Sequence, residues 1–361
     1  MAGRNQLEFG GRRVRLGERR DIDLIVSQSY AGQPVVMPIT VWRAEQPGPT
    51  VFVTAAVHGD ELNGTGVVRA LILDSPFELS AGTLVLVPVV NILGFERHIR
   101  YLPDRRDLNR AFPGSAEGSL ARRIAHAVFS EVVQRCDFGI DLHTAAVRRT
   151  NFPNIRADLS NAAVARLANA FGCELIVNGR GPRGSLRRAA CRAGRPTIML
   201  EAGEVWKIEP AVGEYGVRGV RNVLVELGMV EGERRAPAYQ VHIDDTTWIR
   251  AEEGGILQFH IAPGDVVEAD QPIATNSNLH GKHQTVLRSP ADGIVLGMTT
   301  LPAVTPGEPV CHLAIPRNGV AGVRSAQAQA KSGSLHRRLK RDLSTNVSVS
   351  DFADEPASDA P

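Results

Sequence analysis

The stretch Val51-Phe52-Val53-Thr54-Ala55-Ala56-Val57-His58-Gly59-Asp60-Glu61-Leu62-Asn63-Gly64 decides how this chain is read. Residues 51–57 are apolar and rich in β-branched side chains, which predicts a buried strand, and from Gly64 to Asp74 the apolar residues recur at helical spacing. His58 and Glu61 therefore stand at a strand-to-helix junction, outside the carboxyl end of a strand, where open α/β sheets gather their ligands. Both side chains can ligate a metal, but alone the pair is equally at home in a satisfied surface turn.

Two more strands end in the same way. Phe138-Gly-Ile-Asp-Leu-His143 is a short apolar run closing on a histidine, and Pro196-Thr-Ile-Met-Leu-Glu201 closes on a carboxylate. His58, Glu61 and His143 make a two-His, one-carboxylate set with a coordination position left for water, the make-up of a catalytic zinc site rather than of a closed four-ligand one. Glu201 suits a general base, although a strand-end carboxylate also serves as a helix cap or ion-pair partner.

The chain has 361 residues, 43% of them hydrophobic, with a formal net charge of +2, enough for a sizeable core and two domains. That charge selects no partner. Lysine occurs only at Lys207, Lys282, Lys331 and Lys340, and the abundance of arginine gives no ground for a nucleic-acid role. Cys136, Cys173, Cys191 and Cys311 lack CxxC spacing, so they read as reduced, mostly buried thiols. No apolar segment approaches the ~20 residues of a membrane span and no apolar signal core opens the chain, so a cytoplasmic protein without membrane partners is expected.

Outward from the organising strand, Asp21–Val26, Pro38–Arg43 and Leu84–Val90 read as further strands, with Gln46–Pro49 as a turn. Ser119–Gln134, Asn161–Phe171 and Val212–Met229 read as helices. Strands separated by helices predict an α/β domain over 1–235 with a mixed, mostly parallel sheet flanked by helices. Arg100-Tyr-Leu-Pro-Asp-Arg-Arg-Asp107-Leu-Asn109-Arg110, Val147–Arg156 and Gly179–Ser185 read as polar surface loops. From 236 to 316 short strands broken by Gly, Pro and Asp predict a smaller all-β domain. Pro263-Gly-Asp-Val-Val and Pro290-Ala-Asp-Gly-Ile-Val there resemble the barrel-sandwich of biotinyl and lipoyl carriers, without a convincing acceptor lysine beyond Lys282. Residues 317–361, low in hydrophobicity, are expected to be a disordered tail.

With His58-Gly-Asp-Glu61, Arg100-Tyr101, Asp107-Leu-Asn109-Arg110, Asp141-Leu-His143 and Glu201 in this order, the chain resembles the succinylglutamate desuccinylase and aspartoacylase family, a branch of the zinc carboxypeptidase superfamily. The resemblance covers about residues 45–316. It implies His58, Glu61 and His143 as ligands of one Zn2+ per chain, and Glu201 as the carboxylate that takes a proton from the attacking water. It further implies Arg100 as the group that polarises the scissile carbonyl, and Asn109 and Arg110 as a clamp for a substrate carboxylate, for which a planar guanidinium is well shaped. Arg148, Arg156 and Arg187 suit an anionic substrate and the surface equally.

The function expected is zinc-dependent hydrolysis of the amide bond of an N-acylated amino acid or related small carboxylate, a carbon–nitrogen bond other than a peptide bond. A carboxypeptidase acting on short peptides or amino-acid tails shares the same chemistry. A catalytically silent anion-binding protein and a biotin-type carrier modified on Lys282 are the readings from other classes. The partner expected is a small anionic substrate, and self-association stays open.

Overall fold

Residues 7–29, 31–331, 333–347 and 349–350 are described here in a computed structural model. By internal contacts the chain divides into two units. One runs to Val147 and resumes over Pro153–His242, and the other joins Arg148–Phe152 to the chain from Ile243 onward.

The first unit opens with the hairpin β1 (Leu7–Phe9) and β2 (Arg12–Val14), followed by β3 (Arg19–Gln28), β4 (Pro34–Arg43), β5 (Gln46–Ala55) and α1 (Leu62–Leu73). Then come β6 (Ala81–Val87), α2 (Ile92–Phe95), α3 (Leu120–Glu131), β7 (Phe138–His143), β8 (Arg149–Ala157), α4 (Ala162–Phe171), β9 (Leu175–Asn178), α5 (Leu186–Arg192), β10 (Thr197–Glu204) and α6 (Pro210–Glu226). The sheet runs in the order β9-β8-β10-β7-β5-β6-β4-β3. Strands β10, β7, β5 and β6 are mutually parallel, and β4 and β3 continue the sheet antiparallel. The mixed, largely parallel sheet flanked by helices is thus the expected one.

Burial explains the parallel centre. Val51, Phe52, Val53 and Ala55 of β5 and Leu84 to Val87 of β6 are completely shielded from solvent, as strands covered on both faces must be. Helices α3 and α5 join a core with Phe52, Val85 and the β3–β4 pair, while α1 and α4 each pack against α6. Asn161 caps α4 by accepting from the N–H groups of Ala163 and Val164, and Pro210 opens α6 where its missing N–H costs nothing.

At Gly139, directly opposite Phe52 in the β5–β7 pair, a Cβ would lie 2.0 Å from the phenyl ring. Gly139→Ala is therefore expected to cost about 1–3 kcal/mol, the usual penalty for overfilling a packed core. Thermal unfolding checks this, and an unchanged Tm would mean that the Phe52 ring has somewhere to go.

Three expectations for this unit need correction. Gln46–Pro49 is not a turn but the start of β5, where a register irregularity between Gln46 and Thr50 absorbs the Pro-Gly-Pro sequence. Val147–Arg156, expected to be an irregular loop, is mostly β8. Its polar residues Thr150 and Asn154 are buried rather than solvated, and Asn154 pairs with Leu175 of parallel β9. The glycine-rich loop over 179–185 is as expected, and it leads into α5, where the Ser185 hydroxyl oxygen accepts from the Arg188 N–H. The boundary at 235/236 also shifts. The Arg235 N–H donates to Asn222 Oδ1 at 2.8 Å and the Val241 N–H to the Glu174 carbonyl at 2.9 Å, which keeps 236–242 with the first unit.

The second unit contains β11 (Val241–Arg250, from Ile243), β12 (Gly255–Phe259), β13 (Val266–Val267), β14 (Pro272–Ser277), β15 (Gln284–Arg288), β16 (Gly293–Thr299), β17 (Ala303–Val304) and β18 (Pro309–Pro316). They form one sheet in the order β13-β16-β18-β11 and a second in the order β15-β14-β12-β17, with Leu257, Phe259, Ile273, Val295 and Leu313 in a shared core. This is the barrel-like β subdomain anticipated. Lys282 lies in the exposed turn between β14 and β15.

The expected disordered tail instead carries α7 (Ala321–Gln329) and α8 (Leu335–Ser344). Leu339 and Leu343 are fully buried, Val347 joins the β core, and Lys340 Nζ meets Asp265 at 2.6 Å. Residues 351–361 of that predicted tail lie outside the described residues. Among the described residues no helix is long and apolar enough to cross a membrane.

Candidate active site

Adjacent parallel strands β6, β5, β7 and β10 all finish at one edge of the first unit's sheet, and the candidate residues sit there. Beyond β5 the chain turns sharply through Ala56, at φ +48°, into His58-Gly-Asp-Glu61. Gly59 is obligatory in this turn. A Cβ on it would stand 2.1 Å from the Gly94 carbonyl carbon and 2.2 Å from the Phe95 nitrogen. That close approach brings the segment leading to Arg100 against the turn.

His58, Glu61 and His143 converge, with one ligand atom from each lying within 4.8 Å of the others. His58 Nδ1 is 2.6 Å from Glu61 Oε1 and His143 Nδ1 is 2.7 Å from Glu61 Oε2. Each imidazole is gripped from behind by a second carboxylate. His58 Nε2 is 3.1 Å from Asp107 Oδ1, and His143 Nε2 is 2.9 Å from Asp141 Oδ2. Asp141 is itself fixed by the Thr54 hydroxyl, which donates to its Oδ1 at 2.8 Å.

With both Nε2 atoms so engaged, the two Nδ1 atoms and the Glu61 carboxylate are the donors that face one another. The set fits a zinc ion. Bonds of about 2.1 Å at tetrahedral angles put donors about 3.4 Å apart, a small expansion of the spacings observed. A carboxylate behind each histidine is the usual support of such a ligand, setting its tautomer and raising its basicity. All three candidate ligands are at most 3% exposed.

The charges here are strongly coupled. Burial opposes ionisation of Glu61, but the two imidazoles override it and hold its carboxyl well below the usual carboxylate range. Burial likewise disfavours the imidazolium forms of His58 and His143, yet the facing carboxylates raise both, His143 the more. At Asp107 the contacts with His58 and Arg100 outweigh burial and depress the carboxyl. A cluster of negative groups that favours positive charge on its partners is a cluster suited to a cation.

Arg100 reaches the centre directly. Its Nη1 donates to Glu61 Oε1 at 3.3 Å and its Nη2 to Asp107 Oδ2 at 3.2 Å. Asn109 and Arg110 lie in a short 3-10 turn over Leu108–Arg110 that opens with Asp107. The Asn109 side-chain oxygen accepts from the Leu186 N–H at 2.8 Å, so this residue ties the loop to the start of α5. Arg110 is half exposed, 3.9 Å from Asp107, and donates to the Asn109 carbonyl at 2.8 Å.

Glu201 is the register partner of His143 in the parallel β7–β10 pair. Paired residues in a sheet present their side chains to the same face, so Glu201 and His143 are neighbours. Its Oε1 is 3.7 Å from Arg156 Nε, which brings one of the three unassigned arginines to the site. Arg187 is buried and donates to the Gly179 carbonyl at 2.8 Å.

Sequence reasoning assigned no role to Asp141, Thr54 or Arg156. The signal for Asp141 was available, because residues two apart on a strand share a face and Asp141 precedes His143 by two. None was available for Arg156, since β8 was not recognised as a strand.

The chain is similar to known proteins in sequence and in fold. Residues 47–227 match the model of the succinylglutamate desuccinylase/aspartoacylase catalytic domain. The chain is 27% identical over 304 residues to the N-alpha-acetyl-L-2,4-diaminobutyric acid deacetylase of Halomonas elongata, covering 80% of this chain and 89% of that protein. A crystal structure of a succinylglutamate desuccinylase/aspartoacylase from Rhodobacter sphaeroides is similar at 25% identity and a TM-score of 0.71, over 82% of this chain and 95% of that one. The product-bound ectoine utilization protein EutE (DoeB) from Ruegeria pomeroyi shares the fold, with a TM-score of 0.72 at 23% identity over 82% and 94% of the two chains. With its motifs in order, its ligand cluster at the strand ends and its catalytic-domain match across half its length, the chain belongs to the succinylglutamate desuccinylase/aspartoacylase family.

Proposed function

We propose that this protein is a zinc-dependent deacylase that hydrolyses the amide bond of a small N-acylated amino acid. The observation that carries the reading is the buried His58–Glu61–His143 cluster, with Asp107 and Asp141 behind its imidazoles and Glu201 beside His143. Zinc held by His58 Nδ1, His143 Nδ1 and the Glu61 carboxylate would supply a Lewis acid for the acyl carbonyl and lower the pKa of a water to about 7.

The remaining work falls to the chain's own side chains. A carboxylate oxygen of Glu201 takes a proton from the attacking water as the new carbon–oxygen bond forms. The same proton passes to the amide nitrogen as the carbon–nitrogen bond breaks, so one group serves in both protonation states. The products are the free acid and the free amine. Arg100 donates to the carbonyl oxygen as negative charge collects there, and a donor of this kind commonly contributes about 3 kcal/mol to the barrier. Arg110, 3.9 Å from Asp107, and Arg156, 3.7 Å from Glu201, supply positive charge near the cluster, which supports an anionic substrate.

The deacetylase activity named for the Halomonas elongata relative supports an acetylated diamino acid as the first compound to try. The test is a panel of N-acetyl and N-succinyl amino acids, including Nα-acetyl-2,4-diaminobutyrate, set against short peptides with a free carboxyl terminus, after metal analysis of the purified chain. Release of free amine from an acylated amino acid, with one zinc per chain, is expected. Cleavage of peptides alone would make the protein a carboxypeptidase. Binding without turnover across the whole panel would make it an anion-binding protein.

A further inference from the structure

We propose that Trp206 is a positioning residue that sets Arg100, by tying the loop before Arg100 to the turn that carries His58 and Glu61. The proposal rests on the role given to Arg100 above.

Trp206 follows β10 with φ +59° and is 54% exposed. A bulky residue keeps to the left-handed region only where its surroundings over-determine it, and a ring so exposed is not held by core packing. Its two N–H groups are what hold it. The backbone N–H donates to the Asp60 carbonyl at 2.9 Å, inside the turn between the two candidate ligands. The indole Nε1–H donates to the His98 carbonyl at 3.0 Å, two residues before Arg100. His98 is itself left-handed, at φ +54°, so both ends of this bond are constrained.

From Arg100 the connection returns to its origin. The guanidinium bonds Glu61 at 3.3 Å and Asp107 at 3.2 Å, and Asp107 holds His58 at 3.1 Å. Asp60, Trp206, His98, Arg100 and Glu61 thus close a ring made from three segments far apart in sequence.

The base from which Trp206 reaches is fixed independently. Asn63, in the first turn of α1, donates from Nδ2 to Glu209 Oε2 at 2.7 Å and to the carbonyls of Ala202 and Glu204 at 3.4 and 3.3 Å. The Glu209 N–H returns a bond to Asn63 Oδ1 at 2.7 Å. The segment after Glu201 is therefore bolted to the helix that follows Glu61. The indole N–H carries this rigidity across to the Arg100 loop, beside the Gly59–Gly94 approach and the Asn91 Nδ2–H, which donates to the Arg100 carbonyl at 3.3 Å.

Trp206→Phe removes that N–H while keeping an aromatic ring and the backbone. Steady-state kinetics, metal content and thermal unfolding of this variant, of Arg100→Lys and of the double variant test the proposal. In Trp206→Phe, kcat is expected to fall about 10-fold or more, because displacing a catalytic group by about 1 Å can cost ~100-fold. KM, metal content and Tm should change little. In the Arg100→Lys background the same substitution should cost little more, since both changes act on one interaction. An undiminished kcat in Trp206→Phe overturns the proposal. So does an equal loss in both backgrounds, which is the mark of general loosening. Full turnover in Arg100→Lys would remove the catalytic role of Arg100, and this proposal with it.

Discussion

Glu201→Gln is expected to purify with its full complement of metal and to turn over its substrate about 100- to 10,000-fold more slowly, the range over which a positioned proton-transfer group contributes. The substitution changes almost nothing in shape. Glu201 sits in β10 opposite His143, with its backbone carbonyl accepting from Asn154 Nδ2 at 3.4 Å, and an amide fits the same space. What is lost is an oxygen that can take a proton and then release it to the leaving nitrogen. The 3.7 Å contact with Arg156 Nε survives as a contact to an amide oxygen, without its charge. Metal retention follows because the three candidate ligands and the carboxylates behind them are untouched. The measurement is kcat on the best substrate of the acyl-amino-acid panel, with metal analysis on the same sample. Loss of metal together with activity would make Glu201 part of the ligand set, and undiminished turnover would remove it from the reaction.

Glu201 was legible in the sequence for the same reason as His58 and His143. Each closes a short apolar run, and in a sheet with parallel central strands such ends collect on one edge whatever their separation along the chain. Residues that act through backbone placement left weaker traces. Asn109 was expected to clamp a substrate carboxylate, work for its side-chain N–H groups, while its side-chain oxygen accepts from the Leu186 N–H, an attachment to a helix the sequence reading did not contain. Helix α5 escaped notice behind its glycine-rich loop. Strand β8 escaped because its buried positions include Thr150 and Asn154, whose polarity normally signals solvent exposure.

In the C-terminal segment, composition concealed periodicity. Leu335, Leu339 and Leu343 recur every four residues among arginines and a lysine, and the last two are fully buried. Their scarcity suggested a segment unable to fold, while their spacing placed them on one helical face. Trp206 belongs to a different class. Nothing in Glu-Val-Trp-Lys marks a tryptophan whose indole bonds a loop more than a hundred residues earlier, because that contact exists only once β5, β10 and α2 have been assembled.

His143→Ala is expected to purify without metal and without measurable turnover, and Asp141→Asn to occupy the ground between. The imidazole of His143 touches Glu61 through Nδ1 and Asp141 through Nε2. Its removal takes away one of three donors and leaves two buried carboxylates facing a gap, so a lowered Tm should accompany the loss. Because that destabilisation alone could abolish activity, chelation of the unaltered chain is the necessary companion. Stripping the metal should abolish turnover and adding zinc should restore it, with no change in sequence. Asp141→Asn keeps the shape behind His143 but removes the charge that favours imidazole as a donor, a change that typically weakens metal binding about 10- to 100-fold. Its activity should therefore be low at limiting zinc and recover as zinc is raised. Recovery of Asp141→Asn but not of His143→Ala would separate a group that supports a ligand from the ligand itself. If instead the chelated chain kept its activity, hydrolysis would have to be assigned to Glu201 and Arg100 without a metal, and the convergence of His58, Glu61 and His143 would need another explanation.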